Sequence, residues 1–416
     1  MNAIVLWLVL TLLFLLMSYL FGARRARCGE EGEKEQKESQ RIPAERISAF
    51  EKKLAPVLAV AGHKSRGEVI QFEGTLRSDP DETFTRLRES FASENVTPFL
   101  QEGDGEEVRV ILVPVGAERP GLEKPKWWLH WLLFALTLAT TTWAGALHAG
   151  INLLEHPGQF TLGLPYSLAL MLILGAHELG HYFTARRHGI VVTPPYFIPV
   201  PFSLGTFGAF IKLKSLSPSR RAVFDVAVAG PLAGLVFAIP ALLVGLGQSK
   251  IIPGNQPAGM LHGGAEVGSS ILMAVLAKLS LGASVAEGHR LLLHPLAFAG
   301  WLGLMVTALN LLPIGQLDGG HMAHAMFGAK RGHIVSVVAL VSLFGLALFV
   351  WPGLMMWAFI VFFIAGTRDA PPANDITPIV TSRKLLGYFT FLLLLLILVP
   401  VPHTLYRAFG IHCPYL

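Results

Sequence analysis

From Trp127 onward, apolar runs long enough to cross a bilayer recur along the chain, and this repetition restricts the fold more than any other feature. About 20 apolar residues span the hydrocarbon core as a helix, and in lipid a helix satisfies its own backbone polar groups. The runs fall near 127–149, 165–187, 221–247, 294–313, 334–350, 352–366 and 385–402, with an earlier one from Ile4 to Gly22. Composition agrees. Of 416 residues, 52% are hydrophobic and 15% charged, against about 25% charged in soluble domains. The sequence therefore predicts an α-helical polytopic membrane protein with about eight transmembrane helices. The runs at 334–350 and 352–366 are short and joined by "WPG" (Trp351–Gly353), which suits a tight helical hairpin.

The first run, 1–22, lacks a basic leader and is followed by "RRAR" rather than a small-residue cleavage site, so it reads as an uncleaved signal anchor. A charged linker follows over 23–44, including "EEGEKEQKESQ". Residues 45–117 mix amphipathic and alternating patterns. "RISAFEKKLAPVLAV" reads as a short helix, "GEVIQFEGTL" and "VRVILVPV" as strands, and Asp79-Pro80 as a helix start. This predicts a small α+β domain without a catalytic constellation, suited to regulation or to recognising a partner. Residues 127–366 form the expected membrane core, and 367–416 a last transmembrane helix and tail.

The net charge is +5. Basic residues gather at the ends of apolar runs, which suits membrane topology rather than a nucleic-acid face, so no nucleic-acid partner is expected. In the eight-span arrangement the Lys and Arg clusters fall on one side. That side would be the cytoplasm of a cell (inner) membrane, and it would also carry the 45–117 domain. The two cysteines, Cys28 and Cys413, supply neither a disulfide framework nor a Cys-based metal site.

One apolar run carries "HELGH", with His177, Glu178 and His181. Ionisable groups inside a membrane cost on the order of 3 kcal/mol and mark function by default. His177 and His181 are four residues apart, so on a helix they share a face and can hold one Zn²⁺, while Glu178 can serve as general base. A catalytic zinc takes three protein ligands and leaves one position open. Asp318, in "LNLLPIGQLDGGHMAHAM", is the candidate third ligand. The adjacent Gly319-Gly320 pair is expected to permit close backbone approach and to break helix continuity near it.

These two motifs, "HELGH" at 177–181 and "NLLPIGQLDGG" at 310–320, resemble the site-2 protease family of intramembrane zinc metalloproteases. The likeness covers roughly 127–366. "TPPYFIPVPFSLGTFGAFIKLKS" (Thr193–Ser215) and "AVAGPLAG" (Ala227–Gly234) look like its bacterial and plastid branch, with a soluble N-terminal domain and no PDZ domain. The resemblance implies one Zn²⁺ per chain on His177, His181 and Asp318, with Glu178 as catalytic base. It also implies a role for Asn310 in binding substrate backbone or stabilising the oxyanion; the other reading of Asn310 is a helix-packing amide. The implied activity is hydrolysis of a peptide bond in or near the transmembrane segment of a single-span substrate, with the active site toward the cytoplasm.

Four further readings accompany the motifs. The Pro- and Gly-rich stretch suggests a re-entrant strand or hairpin near 204–215, either contacting substrate by β-augmentation or lying on the membrane surface. Gly230 and Gly234 form a small-xxx-small pair for close helix packing, and Ser269–Gly282 fits an amphipathic surface helix. His321 and His324 are expected at the cytoplasmic surface or in support of the site. The alternative function is a metal transporter using intramembrane His and Asp ligands. A prenyl-protein protease is less compatible, because its third ligand is usually a glutamate.

Overall fold

The structure is a computed structural model. It describes residues 43–103, 105, 107–114, 125–201, 204–253, 270–282, 289–349, 354–364, 366 and 371–399. The expected signal anchor, nearly all of the linker, both cysteines, the "WPG" turn and the tail after residue 399 lie outside these residues. The chain divides into two compact units, Met1–Ala117 and Glu118–Leu416.

The first unit runs α1 (Ala44–Leu54), β1 (Leu58–Arg66), β2 (Val69–Leu76), α2 (Pro80–Phe91), β3 (Val96–Glu102) and β4 (Val108–Pro114). The strands form one antiparallel sheet in the order β1-β2-β4-β3. One sequence expectation needs correction. The helix read through "LAPVLAV" stops at Leu54, because Pro56 cannot donate to a helical ladder, and the chain turns into β1. The stretch Val96–Glu102, to which the sequence analysis assigns no element, is strand β3, and it holds Pro98 because β3 lies at an edge of the sheet. The expected start of α2 is present: the Asp79 side chain accepts from the Asp81 N–H, and Pro80 opens the helix.

Ile70, Phe72, Val110, Leu112, Leu87 and Phe91 are buried between the sheet and its helices. Phe50 of α1 meets Phe91 of α2 edge-on, with centroids 5.4 Å apart, which locks the two helices together. Phe91→Ala should therefore cost about 3–5 kcal/mol. The expected readout is faster proteolysis of residues 43–114 in the full chain, with the membrane unit unaffected.

The second unit is mostly helical. Its elements are α3 (Trp127–His148), α4 (Leu164–Arg187), β5 (Tyr196–Pro199), β6 (Thr206–Phe210), α5 (Arg220–Gly247), β7 (Lys250–Pro253), α6 (Ile271–Leu281), β8 (His289–Leu292), α7 (Pro295–Leu311), α8 (Asp318–Phe327), α9 (Ala329–Phe349), α10 (Leu354–Ile364) and α11 (Thr381–Leu398). Helix α5 is central and packs on α4, α7 and α8. Small residues let the helices close up: Gly245 of α5 abuts Ala297, and Gly300 of α7 abuts Leu242. Phe224, Leu242, Leu311, Ile314 and Met322 contribute to the continuous apolar core around this seam.

Three helices, α5, α9 and α11, are long and apolar enough to cross a membrane. The expected total of eight is not reached among the described residues. Helices α6, α7 and α10 are shorter, while α3 and α4 dilute their apolar surface with inward-facing polar groups. Those on α3 include His130, Thr137, Thr141 and Thr142, and those on α4 are Ser167, His177, Glu178 and His181. The amphipathic surface helix expected over 269–282 is corrected as well. Helix α6 packs on α5 and α11 and buries Met273, Ala274, Leu276 and Ala277.

Candidate functional site

Helix α4 carries "HELGH" in its C-terminal half, where His177, Glu178 and His181 are all buried. The four-residue spacing stacks the two imidazoles on one face, and their Nε2 atoms lie 3.1 Å apart. Asp318 opens helix α8 on the far side of the bend at 312–317 and brings Oδ2 to 3.4 Å from His177 Nε2 and 3.3 Å from His181 Nε2. Among the described residues, His177, His181 and Asp318 form the cluster that could hold a metal ion.

This geometry fits a tetrahedral zinc. Ligand atoms about 2.0–2.1 Å from one ion at tetrahedral angles stand about 3.3 Å from each other. The observed separations, 3.1, 3.3 and 3.4 Å, are those edges. The donor set is also right in kind, with two imidazoles and a carboxylate. The His181 Nδ1–H donates to the Val226 carbonyl at 2.8 Å. A carbonyl can only accept, so the proton sits on Nδ1 and the Nε2 lone pair faces the cluster.

Backbone packing makes this possible. A Cβ on Gly230 of α5 would overlap the His181 imidazole, whereas one on Gly234 would lie 3.4 Å from His177 Cβ, an ordinary contact. The Gly230–Gly234 pair therefore seats α5 against the site as its spacing suggested, but only Gly230 is sterically obligatory. On the Asp318 side, a Cβ on Gly319 would strike the Leu311 carbonyl and one on Gly320 the Gly315 carbonyl. The close approach is confirmed, but the break is displaced. Helix continuity is lost at 312–317, and the glycine pair lies inside the first turn of a new helix.

The Asn310 Nδ2 donates to His177 Nε2 at 3.3 Å, so its amide stands at the edge of the cluster. Glu178 lies within electrostatic reach of His181 and Asp318, and the Ile211 backbone amide donates to its carboxylate. Ile211 directly follows β6. The expected hairpin is present but begins earlier, pairing β5 with β6 from Tyr196↔Phe210 to Pro199↔Thr206. Its tip is tied down by the Tyr166 hydroxyl, which donates to the Leu204 carbonyl (2.8 Å), and by the Thr140 hydroxyl, which donates to the Gly205 carbonyl (2.7 Å).

The remaining histidines go elsewhere. His148 packs against the Tyr166 and Phe298 rings, and His294 caps α7. His188 bonds Asp225 at 3.1 Å, and Arg383 of α11 forks onto the same carboxylate. His321 is half-buried on α8. His324 is not at a surface: it is buried, with Nε2 2.9 Å from Asp375 Oδ1, which also accepts from Arg220 Nε at 2.8 Å. Sequence reasoning missed Arg220, Asp225, Asp375 and Arg383. The available signal was an Asp and an Arg embedded in or beside apolar helices.

Comparison with known proteins identifies the family. The model of peptidase family M50 matches residues 165–351, which include every cluster residue. The probable zinc metalloprotease EGY1, chloroplastic, of Arabidopsis thaliana is 30% identical over 381 residues, covering 83% of this chain and 68% of that protein. The chain belongs to peptidase family M50. The probable zinc metalloprotease EGY2, chloroplastic, of the same plant is 29% identical over 341 residues, or 80% of this chain and 60% of that protein. The probable zinc metallopeptidase EGY3, chloroplastic, is 28% identical over 350 residues. The chain thus spans about three-fifths of the length of the EGY2 relatives. No solved structure matches it.

The two glycines of α5 give this candidate metal site a sharp test. Gly230→Ala should weaken zinc binding by about 10–100-fold through displacement of His181, while Gly234→Ala leaves it unchanged. Competition with a zinc chelator, on protein shown to be folded, measures both.

Proposed function

We propose that the chain is an intramembrane zinc metalloprotease that hydrolyses a peptide bond in or near the transmembrane segment of a single-span substrate. The observation that carries this reading is the convergence of His177, His181 and Asp318 at tetrahedral edge distances, with Glu178 on the same helix. Membership of family M50 supports it, as do relatives named zinc metalloproteases. His177, His181 and Asp318 would hold the zinc, which when bound would supply Lewis-acid chemistry and lower the pKa of a water to about 7.

The chain's own groups do the rest. The Glu178 carboxylate takes the proton of the attacking water and returns it to the leaving amine nitrogen. The Ile211 N–H orients that carboxylate. Asn310 offers an amide N–H to the oxygen on which negative charge develops. The hairpin at 196–210 presents strand backbone beside Glu178, which would hold an unwound substrate segment by β-augmentation. The one-sided distribution of Lys and Arg supports a cell-membrane setting with the site and the 45–117 unit toward the cytoplasm. That unit, which carries no comparable cluster among its described residues, suits a regulatory partner.

Glu178→Gln tests the reading. The variant should retain one zinc per chain and lose about 10²–10⁴-fold in cleavage of single-span substrates in liposomes. Equal movement of zinc across the bilayer by wild type and variant, without cleavage by either, would instead establish the transporter. Asn310→Ala should lower kcat by about 10²–10³-fold with little change in zinc content. An unchanged kcat would return Asn310 to a packing role.

A further inference from the structure

We propose that Arg220, Asp375 and His324 are positioning residues that hold helix α8 in register against α5, so that Asp318 meets the two imidazoles. The inference rests on the metal-site reading above. Asp375 lies beyond the residues that the family model matches. Its carboxylate accepts from Arg220 Nε (2.8 Å) and His324 Nε2 (2.9 Å) through the same oxygen, and all three side chains are buried.

The placement of the three residues is what matters. Helix α8 has only ten residues, with Asp318 at its first position and His324 in its second turn. The bend at 312–317 separates it from α7, so no continuous helix fixes its height or rotation. Residues six apart on a helix differ by about 240° in direction and about 9 Å in height. Asp318 and His324 therefore tether α8 on two faces and at two levels. Arg220 begins α5, the helix whose Val226 carbonyl fixes the His181 tautomer and whose Gly230 seats the His181 ring. One carboxylate thus couples the helix that carries the third ligand to the helix that orients the second.

Asp375 is itself rigidly mounted. The Ala373 N–H donates to the Ser217 carbonyl and the Asn374 N–H to the Pro218 carbonyl. The Asn374 side chain accepts from the Ile376 and Thr377 N–H groups and donates to the Thr377 hydroxyl. A turn built this way, and strapped to the segment before α5, places the carboxylate without help from α8.

The test compares Asp375→Asn and His324→Leu with Asp225→Asn. The last removes a half-buried ionic cluster, which ties α11 and His188 at the end of α4 to α5 without a contact to α8. His324→Gln, whose amide N–H can reach the position of the His324 Nε2, is the conservative rescue. Full-length proteins in detergent would be titrated with Co²⁺, reading affinity and the d–d spectrum, and α8 amide exchange would be measured on the metal-free chains. Asp375→Asn and His324→Leu should bind Co²⁺ about tenfold more weakly, by analogy with outer-shell variants of metal sites. Their α8 amides should exchange faster, while Asp225→Asn matches wild type and His324→Gln recovers most of the loss. Unchanged Co²⁺ affinity and α8 exchange in His324→Leu would overturn the proposal, as would an equal loss in Asp225→Asn. Absence of Co²⁺ binding by wild type would sink the metal-site reading instead, and α8 exchange in the metal-free chains would then decide this inference alone.

Discussion

Two imidazole nitrogens and a carboxylate oxygen converge inside an apolar helical bundle, and much of the surrounding structure serves to hold them there. Acceptors that close repel one another unless a cation or shared protons lie between them, and burial removes the water that would screen them. Such an arrangement does not arise from packing preference. It is imposed by neighbours with no freedom to move: the Val226 carbonyl behind His181, the backbone of Gly230 against its ring, and the carbonyls of Leu311 and Gly315 against the two glycines that follow Asp318.

Helix α5 is the member through which these restraints act together. It buries its small residues against α4 and α7, supplies the carbonyl that selects a tautomer, and begins with an arginine held in a buried ionic cluster. The site is thus built from three helices, with one contributing both histidines, one the aspartate, and the third no ligand at all. That third helix contributes no residue to the cluster, yet a single added methyl at Gly230 would strike the His181 ring.

The cluster of His177, His181 and Asp318 was legible in the sequence because it depends on local spacing and on the high cost of ionisable groups in lipid. Four residues between histidines fixes a shared face whatever the fold, and Asp318 stood out as a charge after an apolar run. The hairpin could be read from proline and glycine content, though its limits were set too late. What could not be read depends on tertiary pairing. The partnership of His324 with Asp375 joins residues 51 positions apart, and neither has a neighbour in sequence that announces it. The eight expected spans are met only in part among the described residues, where three helices are long and apolar enough to cross a membrane; α3 and α4 turn polar groups into the bundle, which lowers their mean hydropathy. In the N-terminal unit, β3 carries Pro98, and only the sheet order shows it to be an edge strand that can hold a proline.

The anchoring of the hairpin tip has a mechanical consequence. Tyr166 and Thr140 fasten consecutive carbonyls of the loop to two helices, so the strand beside Glu178 is a fixed rail rather than a flexible arm. If substrate pairs with that rail, the work of deformation falls on the substrate. Selectivity would then be a measurement of compliance: segments whose helices yield easily, through glycine, proline or weak backbone bonds, would be cut, and stiff ones of equal hydrophobicity would pass untouched.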